Sequence, residues 1–504
     1  MLDLFGLVPW LLALDRTRTL RGAAASGLGM CVAFVAAIFA WFGYAIAVYS
    51  AGAAAAGFVV LLVSAPLLQP QFIVFAVVRF IAGRHYGVAL RTLLGASAWV
   101  ATEWMFPKLL ADTLAHGMYP SVVLRQFADV AGTAGITFLL VVINECLCAS
   151  LSPQRRAHGL RASLVPIAAA ASIVAGMAGY GTMRLAALEQ AAVDDKPVRV
   201  GLVQSNIAAY DRLRREMGAY EAVRHVLDTH FMMSRGAVEQ QKVDALMWSE
   251  TVFPTTFGKP KSDTGGELDR EITDFVSKMG VPLVFGSYDR DDLGEYNSAV
   301  FLEPAAAGVA PRFDTYRKTR LFLLTEYVPA WMDGSLTREW MPWAGNWLPG
   351  PGARVLPLRL ADGREVPVLP MICLDDVDAG LAIEGARLGA RMILTMSNDS
   401  WFTEHTGGAH LHLVAAAFRS IETHLPQLRV TNNGITAVID ASGEIVDGAA
   451  VGERRTVIAD LSPRAPGKTL MVRWGDWLGP VALGLVVLVL SAPYLRERRK
   501  NRHG

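Results

Sequence analysis

The chain has 504 residues and balances 47 Lys and Arg against 46 Asp and Glu, a formal net charge of +1, which excludes a global positive field that would recruit nucleic acid. A hydrophobic content of 52% with a positive mean hydropathy excludes an ordinary water-soluble enzyme and makes membrane spans the first expectation. Cys31, Cys146 and Cys148 lie in apolar runs, so Cys373 stands alone in the polar middle of the chain with no intradomain disulfide partner.

The first apolar run is short, Leu2 to Leu14. Five long ones follow at about Ala24 to Tyr49, Ala53 to Phe80, Gly87 to Phe106, Val130 to Ser150 and Ala162 to Met183. Each reaches the roughly 20 residues that a helix needs to cross a bilayer. A last run, Trp477 to Leu495, precedes the basic tail "RERRKNRHG". The expected plan is therefore membrane helices over residues 1–185 and 477–495, with a basic cytoplasmic tail at 496–504. No cleavable signal peptide is expected at the start, and the many alanines of the runs serve close helix packing. Arginines cluster after alternate runs: Arg16, Arg18 and Arg21; Arg79, Arg84 and Arg91; Arg155, Arg156 and Arg161; and the tail. If each long run crosses once, all clusters fall on one face, which the positive-inside rule assigns to the cytoplasm. The region between the last two spans is then extracytoplasmic.

Between Pro197 and Ala465 the pattern changes to short β-rich runs, among them "PVRVGLVQSN", "ALMWSET", "VPLVFGSY" and "RMILTMSND". Helical candidates with charged faces, such as Tyr210 to Val243 and Gly265 to Lys278, lie between them, which predicts a layered α/β domain over residues 197–465. Several strand ends carry reactive groups: Glu250 in "WSETVFP", Lys318 and Glu326 in "YRKTRLFLLTEYVP", and Cys373 in "MICLDD". A cysteine nucleophile needs a base to form thiolate, and an oxyanion needs a cation or N–H donor, so Glu, Lys and Cys at three strand ends supply the parts. Taken singly, each has a plain structural reading, as a solvated surface charge or a small core hydrophobe.

The order and surroundings of these residues carry more. "WSETVFP", "YNSAVF", "YRKTRLFLLTEYVP", "ICLDD", "MSNDSWF" and "RVTNNGITAVIDASGEIV" together resemble the nitrilase superfamily of carbon–nitrogen hydrolases. With the apolar runs and "VRWGDW" before the last of them, the chain is similar to the membrane-bound, lipoprotein-acylating branch of that superfamily. The resemblance implies a multi-pass α-helical membrane domain plus an α/β nitrilase-like four-layer α-β-β-α sandwich. It implies a bacterial inner-membrane protein with a periplasmic catalytic domain, a phospholipid acyl donor, and the N-terminal amine of a diacylglyceryl-cysteine lipoprotein as acceptor. No cofactor, metal or nucleic-acid partner is implied. Position by position, Glu250 matches the general base, Lys318 the oxyanion-stabilising cation and Cys373 the nucleophile. Glu326 matches the second glutamate beside the triad, and Asn297 a supporting asparagine.

Departures from the family pattern fall at four places, the first of them at residues expected to contact substrate. An aromatic residue and Glu usually follow the nucleophile, where this chain has Leu374 and Asp375. Ser249 stands before Glu250 and Thr325 before Glu326, neither removing a catalytic group. The tryptophan usual after the "QxNI" strand has no counterpart, Tyr210 and Leu213 being nearest. An additional membrane helix usually precedes the segment matching "FGLVPWLLAL" and is expected to be missing. Trp343 and Trp347 of "MPWAGNWLPGPG" form an aromatic loop that could dip toward lipid, and Trp401 is a further contact candidate. His405, His410 and His412 include an H-x-H pair of the kind that ligates zinc, but the resemblance implies similar histidines at this position without metal. "GLVQSN" lacks the glycine spacing of a phosphate loop. The alternative to acyl transfer is a membrane-tethered amidase using the same triad; an intact triad argues against a catalytically idle relative.

Overall fold

The structure is a computed structural model that describes residues 2–49, 53–106, 108, 112–152, 160–191, 196–207, 210–306, 308–402 and 406–503. It forms two units, residues 1–190 with 473–504, and residues 191–472. Arg155 and Arg156 of the third basic cluster lie outside the described residues.

The first unit is helical. Among the described residues, Leu20–Ile38, Ala128–Ser150 and Arg161–Gln190 are each long and apolar enough to cross a membrane, and Ala54–Leu68 with Gln71–His85 qualifies as a pair bent by 42°. The expectation of five unbroken long spans is corrected accordingly. The run from Ala53 breaks at Gln69 (φ −133°, ψ 51°), because the ring of Pro70 crowds the residue before it and supplies no N–H. The run from Ala24 breaks at Phe39 (φ −110°, ψ 18°), between helices Leu20–Ile38 and Ala40–Tyr49. The third run forms one helix, Val88–Met105, but it carries Arg91 and Glu103 and does not qualify by length and composition.

Charges within this unit are answered in place. Arg79 forks Glu145 and reaches Asp15 at 2.9 Å, while Arg91 reaches Asp15 and Glu145, each at 3.3 Å. Two guanidinium groups thus meet two carboxylates, which is the condition for holding charges away from water. A second cluster hangs on Lys108, whose ammonium donates to Glu103 Oε1 at 2.8 Å, to the Asp112 carbonyl at 2.6 Å and to Asp112 Oδ2 at 3.4 Å.

The second unit is built on strands β1 (Val198–Gln204), β2 (Ala245–Trp248), β3 (Leu283–Arg290), β4 (Glu295–Leu302), β5 (Phe313–Arg317), β6 (Leu356–Arg359), β7 (Glu365–Ile372), β8 (Met392–Ser397), β9 (Gln427–Thr431), β10 (Thr436–Ile439), β11 (Ile445–Ala449) and β12 (Arg455–Leu461). They make two six-stranded sheets, ordered β12-β1-β2-β3-β4-β5 and β11-β10-β9-β8-β7-β6. Each has a parallel centre, with Leu202 beside Met247 in the first and Met371 beside Thr395 in the second. The parallel strands read as continuous apolar runs because both of their faces are covered. In β1, Val198, Val200 and Leu202 point into the core between the sheets, while Val203 joins the outer cluster. In β7, Val366, Val368 and Ile372 point inward, and Leu369 and Met371 outward.

Helices close both outer faces. Helix Asp263–Met279 starts on Ser262, whose hydroxyl accepts the Gly265 amide at 3.1 Å, and stops at left-handed Gly280. Its Leu268, Ile272, Phe275 and Val276, spaced by three to four residues, fill the outer cluster of the first sheet together with helix Ala219–Gln241. Helix Ala379–Arg387 packs Leu381, Ala382 and Ala386 on the second sheet. The layer order is α-β-β-α, the four-layer sandwich that the resemblance implies.

Candidate active site

Strands bring the reactive side chains to their C-terminal ends. Glu250 stands two residues beyond β2, Lys318 directly after β5, and Cys373 directly after β7. At Cys373 the backbone turns left-handed (φ 49°) into a short 3-10 turn, Cys373–Val377. A side chain held there costs on the order of 1 kcal/mol or more, so the surrounding contacts must hold it. Thr251, next to Glu250, is also left-handed (φ 58°). A β-carbon at Gly286 would stand 2.4 Å from the Thr251 nitrogen and 2.6 Å from Glu250 Cα, so only glycine lets β3 pass behind the Glu250 turn.

The charged groups are interlocked. Lys318 Nζ donates to Glu250 Oε1 at 3.1 Å and to Glu326 Oε1 at 2.8 Å. Asn297 Nδ2 donates to the same two oxygens, at 2.8 Å and 3.1 Å. The far oxygens are also fixed: Glu250 Oε2 accepts the Asn398 amide at 2.8 Å, and Glu326 Oε2 the Phe322 amide at 2.7 Å. Two donors of the ammonium are thus used, and among the described residues the third meets no acceptor. Lys318 is 2% exposed. Burial would push its ammonium down, but Glu250 and then Glu326 hold it well above the ordinary lysine range, so the cation persists.

Cys373 feels the opposite balance. Burial pushes its thiol well above the usual value, Glu250 adds to this, and Lys318 opposes. A resting thiolate is disfavoured, and the thiol must lose its proton to a base as it reacts. Tyr288 borders the same charges. Burial, then Glu250, pushes its phenol up, and its ring packs on Trp347 with centroids 4.4 Å apart. Nothing in the sequence singled out Tyr288, Gly286 or the Asn398 amide, because their role depends on which strands become neighbours.

The substrate-contact candidates separate. Trp347 lies at the site: its amide donates to the Glu326 carbonyl at 3.0 Å. Trp343 is 38% exposed, on the same loop, and Leu374 is half-buried. Asp375 corrects the expectation of a substrate contact. It is fully buried, and both of its oxygens are taken by the chain itself. Oδ2 accepts from Tyr316 Oη at 2.9 Å and from the Ile372 amide at 3.0 Å, while Oδ1 accepts the Thr319 and Arg320 amides at 3.1 Å and 2.7 Å. It therefore laces the segment carrying Lys318 to the turn carrying Cys373. Side-chain placement of Trp401, and His405 as a whole, lie outside the described residues. His410 and His412 project from different faces of helix Thr406–Thr423, the first exposed and the second buried, which separates the H-x-H pair.

Comparison with known proteins gives matches to both units. The family model described as carbon-nitrogen hydrolase matches residues 199–466, and that described as the apolipoprotein N-acyltransferase N-terminal domain matches residues 1–146. The chain is 29% identical over 426 residues to an apolipoprotein N-acyltransferase of Caulobacter vibrioides, covering 81% of this chain and 74% of that one. It is 28% identical over 458 residues to the protein of that name from Ralstonia nicotianae, covering 87% and 78%. To apolipoprotein N-acyltransferase 2 of Treponema denticola it is 25% identical over 435 residues, covering 81% and 78%. Among solved structures it is similar to an amidase from Nesterenkonia sp., at 16% identity and a TM-score of 0.37 over 54% of this chain and 93% of that chain.

Proposed function

Because the chain belongs to the carbon–nitrogen hydrolase family, and joins that family's domain to a segment matching the apolipoprotein N-acyltransferases, we propose that it is an N-acyltransferase acting on lipoproteins. It takes an acyl chain from a membrane phospholipid and passes it to the N-terminal amine of a diacylglyceryl-cysteine. The observation that carries this reading is the buried Lys318 ammonium at the end of β5, pinned by two carboxylates with one N–H left over among the described residues and acting on the Cys373 thiol at the end of β7, on a chain that also carries apolar spans.

The reaction follows from these parts. Glu250 takes the Cys373 Sγ proton as the sulfur attacks the ester carbonyl, and Lys318 donates its third N–H to the oxyanion. Collapse expels the lysophospholipid oxygen, which takes the proton back from Glu250 and leaves a thioester on Cys373. The acceptor amine then attacks the thioester, Glu250 accepts its proton, and the thiol is released beside a new amide. Glu326 and Asn297 hold Lys318 and Glu250 in register. The apolar spans suit a chain held in the membrane that contains the donor, and the arginine distribution supports an inner-membrane protein with residues 197–465 in the periplasm.

A peptide with a free N-terminal diacylglyceryl-cysteine tests the acceptor half. Added to acylated enzyme, it should gain an amide-linked chain, whereas the same peptide with a blocked amine should not. Transfer to water alone, with the free-amine peptide unmodified, would instead favour a hydrolase. Reporter fusions near Gly265 and after Leu495 should lie on opposite sides of the membrane; a cytoplasmic Gly265 fusion would remove access to exported lipoproteins.

A further inference from the structure

Two backbone groups at the site, the Cys373 carbonyl and the Asn398 amide that holds Glu250, are tied to one buried cluster that the chemistry above does not use. On helix Thr406–Thr423, His412 Nε2 lies 2.8 Å from Asp376 Oδ1 and 3.3 Å from the Cys373 carbonyl oxygen. Both neighbours are acceptors, so Nε2 carries a proton and donates. Nδ1 lies 3.3 Å from Asp399 Oδ1 and 2.9 Å from Arg429 Nη2. Arg429, on β9, spans the pair, reaching Asp399 Oδ2 at 3.3 Å and Asp376 Oδ2 at 3.5 Å. Ser397 Oγ completes the set, donating to Asp399 Oδ1 at 2.7 Å.

Stability alone is a poor reason for this arrangement. Arg429, Asp376 and Asp399 are fully buried, and replacing buried ion pairs by apolar groups is often neutral or stabilising. What the cluster does uniquely is join two turns. Asp376 belongs to the strained Cys373–Val377 turn, and Asp399 follows Asn398 at the end of β8. Left-handed Cys373 must be over-determined by its surroundings, and the Glu250 carboxylate is aimed partly by the Asn398 amide.

We propose that His412 is a positioning residue for acyl transfer: its Nε2–H donates to the Cys373 carbonyl beside the Asp376 carboxylate while its other edge meets Arg429 and Asp399, so one imidazole sets the nucleophile's turn against the amide that aims Glu250. The proposal rests on the acyl-transfer reading above. It makes the Nε2–H at the Cys373 turn the larger part of the effect and the Nδ1 edge at Asp399 the smaller.

The test uses the full-length protein in mixed micelles of phosphatidylethanolamine and phosphatidylglycerol, with acyl-enzyme formation followed by mass. His412→Gln places an amide N–H near the Nε2 position, whereas His412→Asn reaches only toward Nδ1. At saturating lipid, His412→Asn should lower the acylation rate about 10- to 100-fold, as expected for a displaced but intact catalytic group, with the half-saturating lipid concentration within about twofold of wild type. His412→Gln should recover to within about fivefold of wild type. Ser397→Ala, a milder change that removes one donor from Asp399, should fold and lose a few-fold in the same rate constant. Equal loss in the Gln and Asn variants, wild-type rates in His412→Asn, or a loss appearing only in lipid half-saturation would overturn the proposal. Wild-type protein that takes up no acyl group would instead overturn the acyl-transfer reading itself, so the two failures are distinguishable.

Discussion

Lys108 and Lys318 each bridge two carboxylates, and they differ in what is left over. Lys108 spends its ammonium on Glu103 Oε1, the Asp112 carbonyl and Asp112 Oδ2. Lys318 spends two donors on Glu250 and Glu326, keeps one, and stands beside a thiol whose ionisation it favours. Around Lys108 the carboxylates find further donors, Gln69 Nε2 at 2.8 Å from Asp112 and Thr113 Oγ1 at 3.2 Å from Glu103. An ion-pair count cannot tell the two apart. The spare donor and the adjacent thiol can, which makes the Lys108 cluster a staple and, in the proposed mechanism, the Lys318 cluster a device.

The sharpest break of this comparison is a pair of substitutions. Lys318→Met should abolish acyl-enzyme formation, a fall of at least about 1000-fold, because the oxyanion loses its cation and Glu250 loses its partner. Lys108→Met should leave the turnover of the folded protein near wild type while lowering its melting midpoint, since two buried carboxylates lose their counter-ion. Equal turnover losses in the two variants, each measured per folded molecule, would erase the distinction. Glu326→Gln comes next. It keeps the shape of the pair but removes a charge that holds Lys318, and a loss of about 10- to 1000-fold in turnover is expected. Near-normal rates with both donor and acceptor would leave Glu326 a structural group.

A pH experiment sharpens the electrostatics. Glu250 raises the Cys373 thiol and Lys318 lowers it, so removing each charge moves the thiol in opposite directions. In Glu250→Gln the pH profile of Cys373 alkylation by iodoacetamide should shift to lower pH even as acyl transfer fails, and in Lys318→Met it should shift to higher pH. Shifts of the same sign in both variants would contradict the arrangement. A smaller effect than at Lys318 is expected at Gly286→Ala, where the added methyl would stand 2.4 Å from the Thr251 nitrogen and must displace the Glu250 turn. Turnover should drop about 10-fold, with lipid half-saturation little changed.

The strand ends were legible because short apolar runs, such as β2 and β7, announce where a strand stops, and Glu250, Lys318 and Cys373 stand at or within two residues of such stops. The turns beyond the strands were less legible. Left-handed Cys373 redirects the chain, and Asp375, two residues on, turns into the sandwich rather than toward substrate. Burial of His412 beside exposed His410 comes from helix phase, which depends on where that helix begins. In the membrane unit, the Gln69 break was readable from Pro70, whereas Phe39 carries no such mark. Tyr288 and Asn398 gain their places from strand neighbours far away in sequence, information that single residues do not carry.

The central claim is a thioester on Cys373, and intact-mass analysis of the full-length protein after incubation with phospholipid tests it most directly. Without acceptor, wild-type protein should gain one acyl group per chain, removable by hydroxylamine, because a ping-pong enzyme waits in its acylated form for the second substrate. Cys373→Ala should gain none. A Cys373→Ala protein that still carried or transferred the acyl chain would contradict the account and return Cys373 to the role of a buried core thiol.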